Sequence, residues 1–470
     1  MVKARIRPHC FGGAIRVPAS KSHCIRRLLI AALAEGVSEI DYPLDSLDAR
    51  SCLAVCRGLG AEIEERRAAD PRSPNPADEG GERLVQWRVR GTGGRPGRRA
   101  AGGPEAAGPP RLDVGNSGTT LYLALAAAAL GETPVEFTGD AQIQRRSAAP
   151  LLAALSGLGI RAESLNHSGC APILIQGPWR GGRVVLPCPT SQYLSALLLA
   201  APLAPQGVIT EIDVPLLNER PYIEMTLSYL RAQHIPHEAA ADFSRFVIPG
   251  GAIWRPLSGP APGDFSSAAF PACAAVVSGG AVRLPGLDPG DTQGDKFFFE
   301  MLARMGCEVR REQQAPADPG AGAALAGPAG GPPEWALSVS LKGPLRGGEF
   351  DLNAAPDLLP AAAVLGAYAT GDTALVNVAH ARIKETDRIA VMAAELAKLG
   401  VRCTERPDGL VIHGGAGLAG GRVDGHGDHR IVMALAAGAC GASGPVEITG
   451  AEHAAVTYPG FLELLDAERD

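Results

Sequence analysis

The chain has 470 residues, 46% hydrophobic and only 5% aromatic, with a formal charge of −6. At roughly 100–200 residues per domain, that is two or three domains with apolar material for a large core, which excludes global disorder. The acidic balance argues against a general nucleic-acid binder. No unbroken apolar run of about 18 residues marks a membrane-spanning helix. Gly (59) and Pro (39) make about a fifth of the chain, so globular domains of small side chains with some Gly/Pro-rich filler are expected. The opening segment, MVKARIRPHCFGGAIRVPASKSHCIRR, lacks the apolar core of a signal peptide, and a cytoplasmic protein is expected. Ten cysteines occur without a CxxC pair. Cys52 and Cys56 share one face of a predicted helix and are read as buried free thiols, not as a disulfide or zinc site.

In chain order, one pattern occurs six times: an apolar small-residue helix, a Gly or Pro, and a β-type run. Its copies start at Leu28, Leu123, Leu194, Phe270, Leu359 and Ile431. Between them lie amphipathic helices that mostly end in a Gly-type cap and lead into an alternating strand. These start at Cys52, Leu151, Leu227, Met301 and Leu396, and FLELLDAERD is a truncated copy. Gly after the helix suits the left-handed cap, and alternation suits a half-buried strand. Three of the five spacings between first-type helices are 71–76 residues. The two longer ones contain low-complexity stretches, at about 66–110 and 313–333, expected to be solvent-exposed insertions. Six units then predict two similar domains of three units each.

Polar residues precede every first-type helix: Lys21-Ser22, Gly115-Asn116-Ser117-Gly118-Thr119, Thr190-Ser191-Gln192, Asp264-Phe265-Ser266-Ser267, Pro356-Asp357 and Asp428-His429-Arg430. Ser, Thr, Asp and Asn there are ordinary N-caps. Capping does not account for Lys21, Gln192, His429 and Arg430, because a cation at a helix start opposes the dipole. An anionic ligand held by free N–H groups and cations together would account for them. The second-type helices add Arg145-Arg146 and the run Lys384-Glu385-Thr386-Asp387-Arg388, expected to open a helix with Lys384 and Arg388 on one face.

These residues resemble the EPSP synthase family of enolpyruvyl transferases, the 3-phosphoshikimate 1-carboxyvinyltransferases. The likeness rests on VPASKSHCIRRLLIAALAEG, GNSGTT, TSQYLSALLLAAPLA, RPYIEMT, GDFSSAAF, RIKETDRIAVMAAELAKLG and GDHRIVMALA. It implies an α/β fold of two similar domains, each of three βαβαββ units (an inside-out α/β barrel). One domain would hold residues 20–261, on the shikimate 3-phosphate side. The other would hold 262–470 with residues 1–19 as an added N-terminal strand. Substrates would bind between the domains.

The family reaction joins phosphoenolpyruvate to the 5-hydroxyl of shikimate 3-phosphate, in the shikimate pathway to chorismate and the aromatic amino acids. It proceeds without a metal or cofactor. By resemblance Lys21, Asp357 and Glu385 are catalytic. Shikimate 3-phosphate would contact Lys21, Ser22, Arg26, Thr190, Ser191, Gln192, Tyr222, Asp357, His380 and Lys384. Phosphoenolpyruvate would contact Lys21, Gly118, Arg146, Gln192, Arg388 and Arg430. A monomer that binds neither nucleic acid nor membrane is expected. Four positions depart from the family pattern. Tyr122 stands for a usual Arg, Val456 for a usual Lys, Glu219 for a usual Ser, and His380 for Asn or Ser. Each lost cation weakens anion binding by ~1–3 kcal/mol unless replaced. The alternatives are a ligand-binding homologue without catalysis and the sister transferase acting on UDP-N-acetylglucosamine.

Overall fold

A computed structural model describes residues 2–68, 70, 82–97, 108–314 and 334–469. It divides into two compact units. The first holds Lys21–Ala68 and Arg83–Ala261, and the second holds Met1–Ser20 and Pro262–Asp470. The helices of the first unit are α1 Lys21–Leu33, α2 Leu47–Gly58, α3 Gly118–Ala128, α4 Ala149–Gly157, α5 Gln192–Ala200 and α6 Arg220–Ala232. Those of the second are α7 Phe265–Val277, α8 Phe297–Arg304, α9 Leu359–Tyr368, α10 Arg388–Lys398, α11 His429–Ala439 and α12 Phe461–Leu464.

Among the described residues, each unit contains three four-stranded sheets of one pattern. A parallel edge strand is followed by two antiparallel neighbours. The second repeat shows it plainly: Arg111–Asp113 runs parallel to Val135–Thr138, then Ile173–Gln176 and Arg161–Ser164 pair antiparallel. With α3 and α4 between strands, this is βαβαββ. The third and fifth repeats are likewise built from consecutive segments, whereas distant segments complete the first, fourth and sixth. In the first, the parallel edge is Ser258–Pro260 beside Val37–Asp41. In the fourth it is Gly13–Ala14 beside Ala281–Pro285. In the sixth, Lys3–Ile6 lies between Val446–Thr449 and Glu468–Arg469.

The small-residue helices form the cores. Every residue of α3 and of α11 is buried, as all-round apolar helices must be. Low aromatic content follows from close helix approach. A Cβ on Gly438 of α11 would lie 2.8 Å from Val364 of α9. The intervening helices are one-sided: α10 buries Ile389, Met392 and Leu396 along one stripe.

One sequence expectation is corrected. The stretch 66–110 is not a single insertion, because Arg83–Arg90 is an inner strand of the first sheet. Its alternation buries Trp87 and Val89, and a register shift opposite Arg66/Arg67, which passes over Val85, changes the phase so that Leu84 is buried as well. The Gly/Pro-rich flanks concealed that alternation. Residues 69, 71–81, 98–107 and 315–333, within the two expected insertions, lie outside the described residues. No helix among the described residues is long and apolar enough to cross a membrane.

Candidate active site

In the second unit, the site is built around Arg388, the first residue of α10 and wholly buried. The helix begins there because the Asp387 side chain caps it, accepting from the Ala390 amide at 3.0 Å. This corrects the expected helix start at Lys384. That residue precedes the cap, and its extended-side backbone does not place it one helical turn below Arg388.

Arg388 gathers three carboxylates. Its Nε donates to Asp428 Oδ2 at 2.8 Å and its Nη1 to Asp357 Oδ1 at 2.6 Å. Its Nη2 donates to Glu385 Oε2 at 2.5 Å and to Asp428 Oδ1 at 3.2 Å. Arg430 reaches the other oxygen of Asp357 with Nη2 at 2.8 Å, and its Nη1 donates to Ser266 Oγ. Asp428 also caps α11, accepting from the Arg430 amide at 2.9 Å. The starts of α7 and α11 and the turn Pro356–Leu358 before α9 therefore meet through side chains.

Burial alone would raise the Asp357 carboxyl. Arg430, Arg388 and Lys384 outweigh it and hold the group well below the usual carboxylate range. Burial would likewise depress Arg388, but Asp428, Glu385 and Asp357 outweigh it and keep the guanidinium charged. His380 is buried, and its Nε2 donates to the Asn353 carbonyl at 3.2 Å.

In the first unit, Lys21 opens α1 and pairs with Asp48 Oδ2 at 3.1 Å, in the first turn of α2. Arg26, one turn further along α1, is 1% exposed. It ties α1 to α5 and α6 by donating to the Ser22 carbonyl, Ser195 Oγ, Thr226 Oγ1 and the Tyr222 carbonyl. Burial pushes its guanidinium down to about 10, which leaves it charged at neutral pH. Gly118 starts α3 against Arg146. A Cβ there would lie 2.8 Å from the guanidinium carbon. At the start of α5, the Gln192 Oε1 is buried without a hydrogen-bond partner among the described residues. Thr190 and Ser191 both donate to the buried Glu219 carboxylate. Tyr122, at the position of a usual Arg, donates to the Ser147 carbonyl at 3.1 Å and packs edge-on against Tyr193. Val456 is buried and has no polar function to offer.

The structure thus brings together Asp357, Glu385, Arg388 and Arg430, and separately Thr190 and Ser191, Gly118 and Arg146, and Ser22, Arg26 and Tyr222. It also corrects the reasoning that led to them. Lys21, Arg388 and Arg430 each meet a carboxylate of the chain itself, so opposition to the helix dipole does not by itself require an external anion. Sequence reasoning passed over Asp48, the pairing of Ser266 with Arg430 and the clamp role of Asp428. Asp428 carried a signal, a cap directly before two cations. Asp48 carried none.

Comparison with known proteins agrees across the chain. The model of a family described as EPSP synthase (3-phosphoshikimate 1-carboxyvinyltransferase) matches residues 8–80 and 99–465. A protein of Acetivibrio thermocellus named 3-phosphoshikimate 1-carboxyvinyltransferase is 43% identical over 462 residues, which is 98% of this chain and 97% of that one. Its namesake in Methanothermobacter thermautotrophicus is 38% identical over 454 residues, covering 96% of this chain and 95% of that one. A solved structure of EPSP synthase from Acinetobacter baumannii superposes with a TM-score of 0.76 at 27% identity, covering 100% of both chains.

Proposed function

The chain belongs to the EPSP synthase family, and from that membership we propose how its residues carry the reaction. The enolpyruvyl group of phosphoenolpyruvate passes to the 5-hydroxyl of shikimate 3-phosphate, and phosphate leaves, in the pathway to chorismate and the aromatic amino acids. Addition precedes elimination. The hydroxyl loses a proton, the enol methylene gains one, and the resulting methyl gives one back.

The observation that carries the assignment is the Arg388 cluster, two partly buried carboxylates, Asp357 and Glu385, fixed on one guanidinium. Asp357 is ionised at neutral pH and suited to take the hydroxyl proton. Its proton affinity is low while Arg388 and Arg430 bind it. When the anionic groups of phosphoenolpyruvate take up those guanidinium donors, Asp357 becomes a stronger base. Glu385 is the partner for proton delivery to and recovery from carbon. Lys21 and Arg146 supply further positive charge at the phosphoenolpyruvate end, with Gly118 leaving Arg146 its space.

Shikimate 3-phosphate is bound by Thr190, Ser191 and Lys384 at its phosphate, with Ser22 and Arg26 at its carboxylate and ring substituents. Gln192 and Tyr222 line the ring, and the unpartnered Gln192 Oε1 suits a substrate hydroxyl. His380, four residues before Lys384, meets the substrate by exchanging its Asn353 carbonyl bond for one to the ligand. The enzyme acts in the cytoplasm as a monomer, without metal or cofactor.

The test is phosphate release from the purified chain, required to depend on both substrates. Asp357→Asn and Glu385→Gln should each lower kcat by ~10²–10⁴-fold. An unchanged rate in either variant overturns that residue's role.

A further inference from the structure

We propose that Glu219 is an internal occupant of the phosphate subsite, a carboxylate of the chain itself that a substrate phosphate must displace. The proposal rests on the reading that Thr190 and Ser191 receive the phosphate of shikimate 3-phosphate.

A single oxygen of Glu219, Oε2, collects three donors. Thr190 Oγ1 donates at 3.1 Å, the Ser191 amide at 3.0 Å and Ser191 Oγ at 2.8 Å. All three residues are buried, with Glu219 only 3% exposed. Two hydroxyls and a backbone amide at a helix start are the donor set that anions use. Ser191 occupies the N-cap position of α5, yet its side chain accepts no capping bond. Its hydroxyl is turned to Glu219 instead.

The backbone fixes this arrangement. Glu219 has φ +58° and ψ 41°, in the left-handed region, directly before the Arg220-Pro221 start of α6. Helix α6 is in turn held to α1 and α5 through the Thr226 hydroxyl, which donates to Ser195 Oγ and accepts from Arg26 Nε. The carboxylate is therefore presented to the start of α5 by a rigid turn, not by a loose surface loop.

The donors are finite: two hydroxyl protons and one amide proton. A phosphate cannot take them while Oε2 holds them, and two anions on one donor set repel. A ligand anchored elsewhere by its ring and carboxylate presents its phosphate at high effective concentration and can displace Glu219. Free inorganic phosphate has no such anchor. Glu219 thus makes the subsite selective for a tethered phosphate and resistant to the phosphate that the reaction releases.

The experiment is calorimetric titration of the full chain with shikimate 3-phosphate, with shikimate and with inorganic phosphate, for the natural protein, Glu219→Ser and Glu219→Gln. Removing the charge should tighten shikimate 3-phosphate by roughly 10- to 100-fold and strengthen inhibition of turnover by inorganic phosphate. Affinity for shikimate, which has no phosphate, should stay within about twofold. Equal or weaker binding of shikimate 3-phosphate by variants with native melting curves overturns the proposal. So does an equal gain for shikimate. Should both variants misfold, a crystal structure of the natural chain with shikimate 3-phosphate decides. Glu219 swung away from Ser191 supports displacement, and Glu219 still on Ser191 with the phosphate elsewhere refutes it. Natural protein that turns over both substrates while Glu219 variants behave identically sinks this inference alone. Natural protein that neither turns over nor binds shikimate 3-phosphate sinks the functional reading beneath it.

Discussion

Replacing Asp428 with Asn asks whether charge holds the Arg388 cluster together. The change preserves shape, and Asn caps helices as well as Asp does, so the bond from the Arg430 amide at 2.9 Å survives. What disappears is a bidentate ion pair between two wholly buried groups, with bonds of 2.8 and 3.2 Å. Breaking a buried pair by removing one partner costs about 3–5 kcal/mol. Arg388 keeps Asp357 and Glu385, so its charge is not orphaned. The expected loss is therefore smaller, about 2–3 kcal/mol. It should appear as lowered protection of amides in α10 and α11 by native-state hydrogen exchange, which resolves the second unit from the first. If Arg388 must be held by Asp428 to meet substrate, kcat/KM for phosphoenolpyruvate should fall roughly 30- to 150-fold. Asp428→Ala should cost about 1 kcal/mol more, because it also removes the cap. A loss below about 1 kcal/mol for Asp428→Asn, with phosphoenolpyruvate kinetics unchanged, would refute the reasoning.

Gly118→Ala should raise KM for phosphoenolpyruvate several-fold while leaving thermal stability equal or higher. The added Cβ would stand 2.8 Å from the Arg146 guanidinium and push it aside, whereas at this first helical position Ala favours the helix by at most about 1 kcal/mol; an unchanged KM counts against Arg146 as a ligand. Asp357 gives a pH prediction. Its folded value lies below its unfolded value, so its contribution is complete above about pH 4 and is lost as pH falls through the folded value. Below pH 4 the unfolded chain binds a proton that the folded one does not, so stability should fall by up to about 1.4 kcal/mol per pH unit from this group. Urea midpoints at pH 2.5–4 should therefore drop less steeply in Asp357→Asn; parallel slopes would contradict it.

The six-fold pattern was legible because small-residue helices and Gly caps repeat at near-constant spacing, and the sheets follow it. The polar starts of the helices were equally legible, and Asp264, Ser117 and Asp428 do cap. Strand Arg83–Arg90 was lost because its neighbours are Gly/Pro-rich, and composition averaged over a window hides an eight-residue alternation. The start of α10 was misplaced because Lys384–Arg388 has helical spacing, while Asp387 offers the stronger cap. Partner choice was least legible. Arg388 finds Asp428 forty residues away, and Lys21 finds Asp48 on another helix. Such pairs are set by packing of whole helices, which no local pattern encodes. A usual Ser replaced by Glu219 was visible as a charge change, but only geometry shows that its carboxylate takes the Thr190 and Ser191 donors.

The strand Lys3–Ile6 buries Ala4 and Ile6 completely, yet its partners are Val446–Thr449 and Glu468–Arg469. During synthesis, this early strand emerges about 440 residues before the one it must join. At ~5–20 residues per second, it waits on the order of 20–90 s with an unpaired apolar edge. The first unit, whose own closing strand ends at Pro260, can fold in that interval. The nascent protein is thus asymmetric in time even though its repeats are alike in form. An extension fused ahead of Lys3 would be attached to a strand of the second unit, not of the first.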